Sequence, residues 1–166
     1  MAEEINVRTI ILPGFSVSNR EWAYDLKEKL GDMSIIVHEW RHWQEGGSLA
    51  LYYELDKILK KVAKEKINIL AKSVGTRVAM NLIQKIPKQI NKVILCGIPS
   101  LSEAYNYLSN FPARKVIVFQ NTKDPLGNFS EVEEFIHRIN KDIKVVEMPR
   151  NDHSYPYPSE FSKFLH

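Results

Sequence analysis

Cysteine is nearly missing from this sequence: Cys96 stands alone among 166 residues. A single thiol closes no internal disulfide and anchors no metal cluster, so a reducing, cytoplasmic setting is expected. Long apolar runs are missing too. None approaches the roughly 18–20 residues that cross a bilayer, so no membrane span is expected. The opening Met1-Ala2-Glu3-Glu4 has neither the basic start nor the apolar stretch of a secretory leader. An excess of one charge is also lacking: 23 basic and 20 acidic residues leave +3, too little to argue for a nucleic-acid partner. Lys57, Lys60, Lys61, Lys64 and Lys66 do cluster, but they interleave with Leu55, Ile58, Leu59 and Val62 at helical spacing and mark the solvated face of a helix. What is present is 44% apolar, with three Trp, seven Tyr and seven Phe. That content suits a single globular domain over residues 1–166, which buries about two-thirds of its unfolded surface.

Strand and helix patterns alternate along the chain. Arg8 to Leu12 reads as a buried strand ending at Pro13-Gly14. Asn19 to Leu30 carries Trp22, Ala23, Leu26 and Leu30 on one helical face, closed by Gly31. Further strands are expected at Ser34–Trp40, Ile67–Ala71, Lys92–Gly97, Lys115–Gln120 and Ile143–Met148. Helices are expected from Leu49 to about Lys64, over Val74–Ile86, Ser130–Asn140 and Ser159–Leu165, with a short helical crossover at Ser102–Ser109. Strands apolar on both faces and separated by helices imply a doubly wound α/β fold, a mostly parallel six-stranded sheet covered on both sides. In such sheets chemistry gathers beyond the carboxyl ends of the strands.

Three of those ends carry reactive residues. Ala71-Lys72-Ser73-Val74-Gly75 joins a strand directly to a helix, with small residues two before and two after the serine. That spacing permits a tight turn that thrusts a hydroxyl outward, although a serine that merely caps the helix is also compatible with it. Asp124 follows the strand ending at Gln120, and His153 follows the strand ending at Met148. Asp124 also suits an Asp-Pro turn, and His153 an exposed loop. Asp152 is a poor partner for its neighbour His153, because adjacent side chains of an extended chain point apart.

The small-Lys-Ser-Val-Gly turn, with the order Ser73, Asp124, His153, resembles the nucleophile elbow and triad of the α/β-hydrolase family, with Ala71 where glycine is usual. Leu12-Pro13-Gly14-Phe15 resembles the family's His-Gly stretch, with Pro13 in place of histidine. The resemblance implies a minimal α/β-hydrolase fold and a serine esterase or thioesterase, with Ser73 as nucleophile, His153 as base and Asp124 as acid. Glu103 is the rival acid. The oxyanion-hole donors would be the backbone N–H groups of Phe15 and Val74. The substrate would be a small-molecule or carrier-borne acyl group, with no cofactor and no metal. Acyl transfer, peptide cleavage, or a silent binding protein on the same fold are the alternatives. The family's two leading antiparallel strands are not apparent, and Ile98 to Ala113 is too short for an inserted cap, which implies an open site suited to short acyl groups.

Trp40, His42, Trp43 and Tyr105 remain. They are candidates for a pocket wall, with packing at the sheet edge or under the crossover as the alternative. His38 and His42 share a face, but no carboxylate or cysteine pattern completes a metal site. Cys96, inside a strand, is expected to be buried and inert.

Overall fold

The computed structural model describes residues 6–166. The acidic opening read as lacking a leader signal lies outside them. Six strands form one sheet: β1 (Arg8–Leu12), β2 (Ile36–Val37), β3 (Ile67–Lys72), β4 (Ile90–Cys96), β5 (Val116–Asn121) and β6 (Lys144–Met148). Their order is β2-β1-β3-β4-β5-β6, and every pairing is parallel. Helices α1 (Asn19–Leu30), α2 (His42–Glu45), α3 (Leu51–Val62), α4 (Val74–Lys85), α5 (Phe129–Ile139) and α6 (Pro158–Leu165) connect or flank them.

Alternation along the strands divides the core in two. Ile10, Leu12, Ile69, Ala71, Val93, Leu95 and Val118 face α3, α4 and α5 and form the larger cluster. Ile11, Leu70, Ile94, Cys96 and Phe119 face α1 and α6. Cys96 is wholly buried, which pushes its thiol pKa up and keeps it protonated. Lys57, Lys60, Lys61, Lys64 and Lys66 are all exposed on or just beyond α3.

One sequence expectation needs correction. The strand read through Ser34–Trp40 pairs only at Ile36 and Val37. As an edge strand it has one neighbour, and after the His38 amide bonds to the Ile11 carbonyl the chain turns into α2, a single helical turn. The expected short helical crossover is present as a 3-10 segment, Glu103–Ser109. No cap lies between β4 and β5; that stretch holds this segment and a second 3-10 turn at Ala113–Lys115.

The strand order reverses between β1 and β3: the chain leaves β1 outward to β2 and returns on β1's other side to β3. At such a switch point the loops diverge and open a crevice at the carboxyl ends. Leu12 is level with Ala71 there, so the loop after β1 lies beside Ser73.

Candidate active site

Ser73 sits between β3 and α4 with φ 55° and ψ −122°, a backbone conformation that residues with a Cβ rarely adopt. Two features hold it there. Its amide donates to the Cys96 carbonyl at 2.9 Å, while its own carbonyl accepts from the Thr76 amide and hydroxyl at 2.9 and 2.6 Å. Gly75 lets α4 press onto β1: a Cβ at that position would lie 2.1 Å from the Leu12 carbonyl oxygen. The serine therefore stands at the positive end of the α4 dipole. Among the described residues its hydroxyl has no hydrogen-bond partner.

The Asp124 carboxylate is buried in the loop after β5. Its Oδ2 accepts from His153 Nδ1 at 2.7 Å and from the Tyr155 hydroxyl at 2.6 Å, and its Oδ1 accepts from the Leu126 amide at 2.9 Å. Burial alone would raise its pKa, but these three donors outweigh that and hold the carboxyl below its ordinary range. With Nδ1 donating to Asp124, the unprotonated nitrogen of neutral His153 is Nε2, which is buried and without a partner among the described residues. The ring lies over Gly97, where φ is +60° and a Cβ would stand 2.9 Å from His153 Cε1 and 2.6 Å from Tyr155. Since the Ser73 amide holds the carbonyl of Cys96, the residue before Gly97, serine and histidine flank the same end of β4.

Tyr155 also accepts from the Asn121 amide at 3.1 Å, and its backbone carbonyl accepts from the Trp22 indole at 3.1 Å. Burial raises the Tyr155 phenol pKa, so the hydroxyl remains a donor to Asp124. Asp152 is paired elsewhere, with Arg150 at 2.9 and 2.7 Å. Glu103 is exposed, and His153 bonds to Asp124 instead.

On the other side of Ser73, the amides of Phe15 and Val74 have no acceptor among the described residues. Lys72, buried at the end of β3, donates to Asn19 Oδ1 at 2.6 Å, and Asn19 Nδ2 donates to the Ser16 carbonyl at 3.0 Å. Burial lowers the Lys72 pKa, partly offset by Cys96, Asp124 and Asp152. Gly14 leaves room for Asn19, whose side chain would lie 2.7 Å from a Cβ there.

The pocket-wall candidates are placed differently. Tyr105 is fully buried, bonded to the Thr76 hydroxyl at 2.7 Å and edge-on to Phe135. Trp40 and His42 are also interior, and Trp43 is half-buried. The last three point ring N–H groups at carbonyls of the loop after β1. Sequence reasoning missed Lys72, Asn19 and Tyr155. Lys72 did carry a signal, as a charge at the end of an otherwise buried strand.

A sequence model of the alpha/beta hydrolase domain matches residues 48–163. The chain belongs to the alpha/beta hydrolase family. Solved structures share the fold of this hydrolase at low identity. An alpha-beta serine hydrolase homologue from Coxiella burnetii is 16% identical with a TM-score of 0.74, covering 96% of this chain and 83% of its own. An esterase from Pyrococcus furiosus is 17% identical with a TM-score of 0.70, covering 96% and 80%. A serine hydrolase described as without lid, from Xanthomonas campestris, is 14% identical with a TM-score of 0.67, covering 98% and 82%. No curated protein matches the sequence. Among the described residues no helix is long and apolar enough to cross a membrane, and no group of three His, Cys, Asp or Glu is placed to hold a metal ion.

Proposed function

We propose that this alpha/beta hydrolase cleaves a carboxylic ester or thioester through an acyl-serine intermediate, with Ser73 as nucleophile, His153 as base and Asp124 as its orienting acid. The observation that carries the reading is the His153 ring: Nδ1 is fixed by a buried carboxylate, Nε2 is unpartnered, and the ring stands at the end of β4 shared with the strained Ser73 turn. In this reading Nε2 takes the Ser73 proton as Oγ bonds to the substrate carbonyl carbon, whose π pair moves onto oxygen. The resulting oxyanion meets the Phe15 and Val74 amides and the α4 N-terminus. Collapse expels the alcohol or thiol, which leaves with the proton held by His153, and water repeats the sequence to release the acid. Asp124 keeps the imidazole in the tautomer with Nε2 free and stabilises the imidazolium between steps.

The rim agrees with an open site for short or carrier-borne acyl groups. Phe15, Leu101 and Leu126, on three loops at the carboxyl ends, are about half exposed. A p-nitrophenyl ester series from acetate to palmitate should peak at short chains, since each further CH₂ adds about 0.8 kcal/mol only where a wall buries it. The decisive test is Ser73→Ala: it should abolish hydrolysis of p-nitrophenyl acetate and labelling by a fluorophosphonate, with Tm nearly unchanged. Undiminished hydrolysis by the variant would reject Ser73 as nucleophile.

A further inference from the structure

Three aromatic side chains from the segment after β2 converge on three consecutive carbonyls of the loop after β1. The buried Trp40 indole N–H is shared between the Pro13 and Gly14 oxygens, at 3.1 Å each. His42 Nε2 and Trp43 Nε1 both donate to the Phe15 oxygen, at 2.6 and 2.8 Å, and the His42 ring stacks on Phe15 with centroids 4.2 Å apart and planes 15° from parallel. Indole and imidazole donors need acceptors, so these contacts satisfy the three N–H groups, while His42 Nδ1 stays buried without a partner among the described residues. They also determine where one amide points.

The Gly14 carbonyl and the Phe15 N–H belong to a single peptide group. That group is planar and trans, so its oxygen and hydrogen point in opposite directions. Drawing the Gly14 oxygen toward Trp40 aims the Phe15 N–H away from Trp40. Holding the Phe15 oxygen fixes the next peptide plane as well, so both planes flanking the Phe15 Cα are set. The clamp is itself anchored: Glu54 Oε1 accepts from the Arg41 amide at 2.8 Å, between Trp40 and His42, and the His38 ring packs edge-on against Trp40 at 4.7 Å. Farther along the loop, Asn19, itself held by Lys72, donates to the Ser16 carbonyl.

We infer that Trp40, assisted by His42 and Trp43, is a positioning residue for the oxyanion hole: it fixes the Gly14–Phe15 amide plane so that the Phe15 N–H is already aimed when charge develops on the substrate oxygen. The inference rests on the proposed serine mechanism. It assigns these aromatics to transition-state stabilisation and takes them out of substrate binding. A donor that must reorient during reaction loses much of its advantage, and misplacement by about 1 Å can cost on the order of 100-fold in rate.

The test is Trp40→Phe, which keeps most of the ring and removes the N–H. Rates per active site, titrated with a fluorophosphonate so that unfolded protein does not count, should show kcat on p-nitrophenyl acetate falling about 10- to 100-fold with KM within about twofold. The fluorophosphonate labelling rate of Ser73 and the affinity of a trifluoromethyl ketone, both of which place an oxyanion in the hole, should fall by the same factor. A residue that only packs the core would lower the titrated fraction and Tm but leave these per-site quantities at wild-type values, and that result overturns the inference. Should Trp40→Phe not fold, Trp43→Phe decides: it removes one of two donors to the Phe15 oxygen and should cost about two- to fivefold in the same quantities with unchanged KM, whereas no loss overturns the clamp. If Ser73→Ala still hydrolyses ester, the serine mechanism fails; if Ser73→Ala is inactive and Trp40→Phe is fully active per site, only the clamp fails.

Discussion

Among the described residues there are two histidine–carboxylate pairs, and they differ in what the rest of each group is free to do. His153 meets Asp124 at 2.7 Å, and His38 meets Glu54 at 2.5 Å. At the first pair the carboxylate is saturated by further donors from Tyr155 and Leu126, while the histidine keeps an unpartnered nitrogen at the end of β4. At the second pair both side chains are sealed beneath α3, and the carboxylate's other oxygen holds the Arg41 amide. In the proposed mechanism the first couple presents a base; the second fixes a chain turn. A buried ion pair or hydrogen bond does not mark a catalytic centre by itself.

Conservative amide substitutions should separate the two pairs. Asp124→Asn keeps the shape but favours the wrong imidazole tautomer, so kcat should fall about 10⁴-fold while Tm moves little. Steady-state kinetics beside thermal melts would check this; a fall below tenfold would remove Asp124 from the mechanism. Glu54→Gln should do the reverse. A glutamine offers one acceptor oxygen where the carboxylate offers two, so either a buried donor goes unsatisfied or His38 must change tautomer, at about 1–3 kcal/mol. Tm should drop by roughly 2–10 °C, with kcat changed less than tenfold. Larger activity loss at unchanged Tm would mean that Glu54 acts on the site more directly than by anchoring Arg41.

The pairs should also respond to acid in different ranges. Burial lowers the His38 pKa, with Lys57 and Lys61 acting in the same direction against the attraction of Glu54. A base whose folded pKa is depressed stabilises the fold fully above its unfolded value and loses that stability as pH falls through the folded one. The His38 contribution therefore begins to fade below pH about 6.5. The depressed Asp124 carboxyl has the same sign but starts lower, below pH about 4. Denaturation midpoints followed from pH 8 to 3 should show the earlier decline in the wild type and lose it in His38→Gln.

The sheet and the places of Ser73, Asp124 and His153 at strand ends were legible because they rest on local pattern: apolar runs, helical spacing, and small residues flanking Ser73. Less legible was the segment after β2. Ser34-Ile35-Ile36-Val37-His38-Glu39-Trp40 reads as a strand, yet His38 is drawn to Glu54 and Trp40 to the loop after β1, so the ladder stops at Val37. Those partners lie 16 and 27 residues away, beyond any local signal. For the same reason the sequence left Trp40, His42 and Trp43 open between a pocket wall and packing at the sheet edge, since polar ring edges facing backbone carbonyls leave no periodic trace. Tyr155 was invisible as a partner of Asp124 because an aromatic two residues after a loop histidine is ordinary in sequence.

Tyr155→Phe gives the smallest effect and the sharpest reading of the Asp124–His153 pair. The substitution removes one donor from Asp124 and leaves the Asn121 amide without its acceptor. Stability at neutral pH should fall by about 1–2 kcal/mol, and kcat by no more than severalfold, because His153 Nδ1 still holds the carboxylate. The informative quantity is how this loss varies with pH. In the wild type the Tyr155 hydroxyl favours the charged carboxyl and helps to depress its folded pKa; in the variant that pKa should move back toward the ordinary value. The variant then has less linked stability to lose as pH falls. The difference in unfolding free energy between the two proteins should be largest above pH about 5 and should shrink toward pH 3. Urea titrations at pH 7 and pH 3 measure it. A difference that stays constant across that range would mean that the phenol contributes packing and the Asn121 bond alone, and that His153 and the Leu126 amide suffice to keep Asp124 ionised.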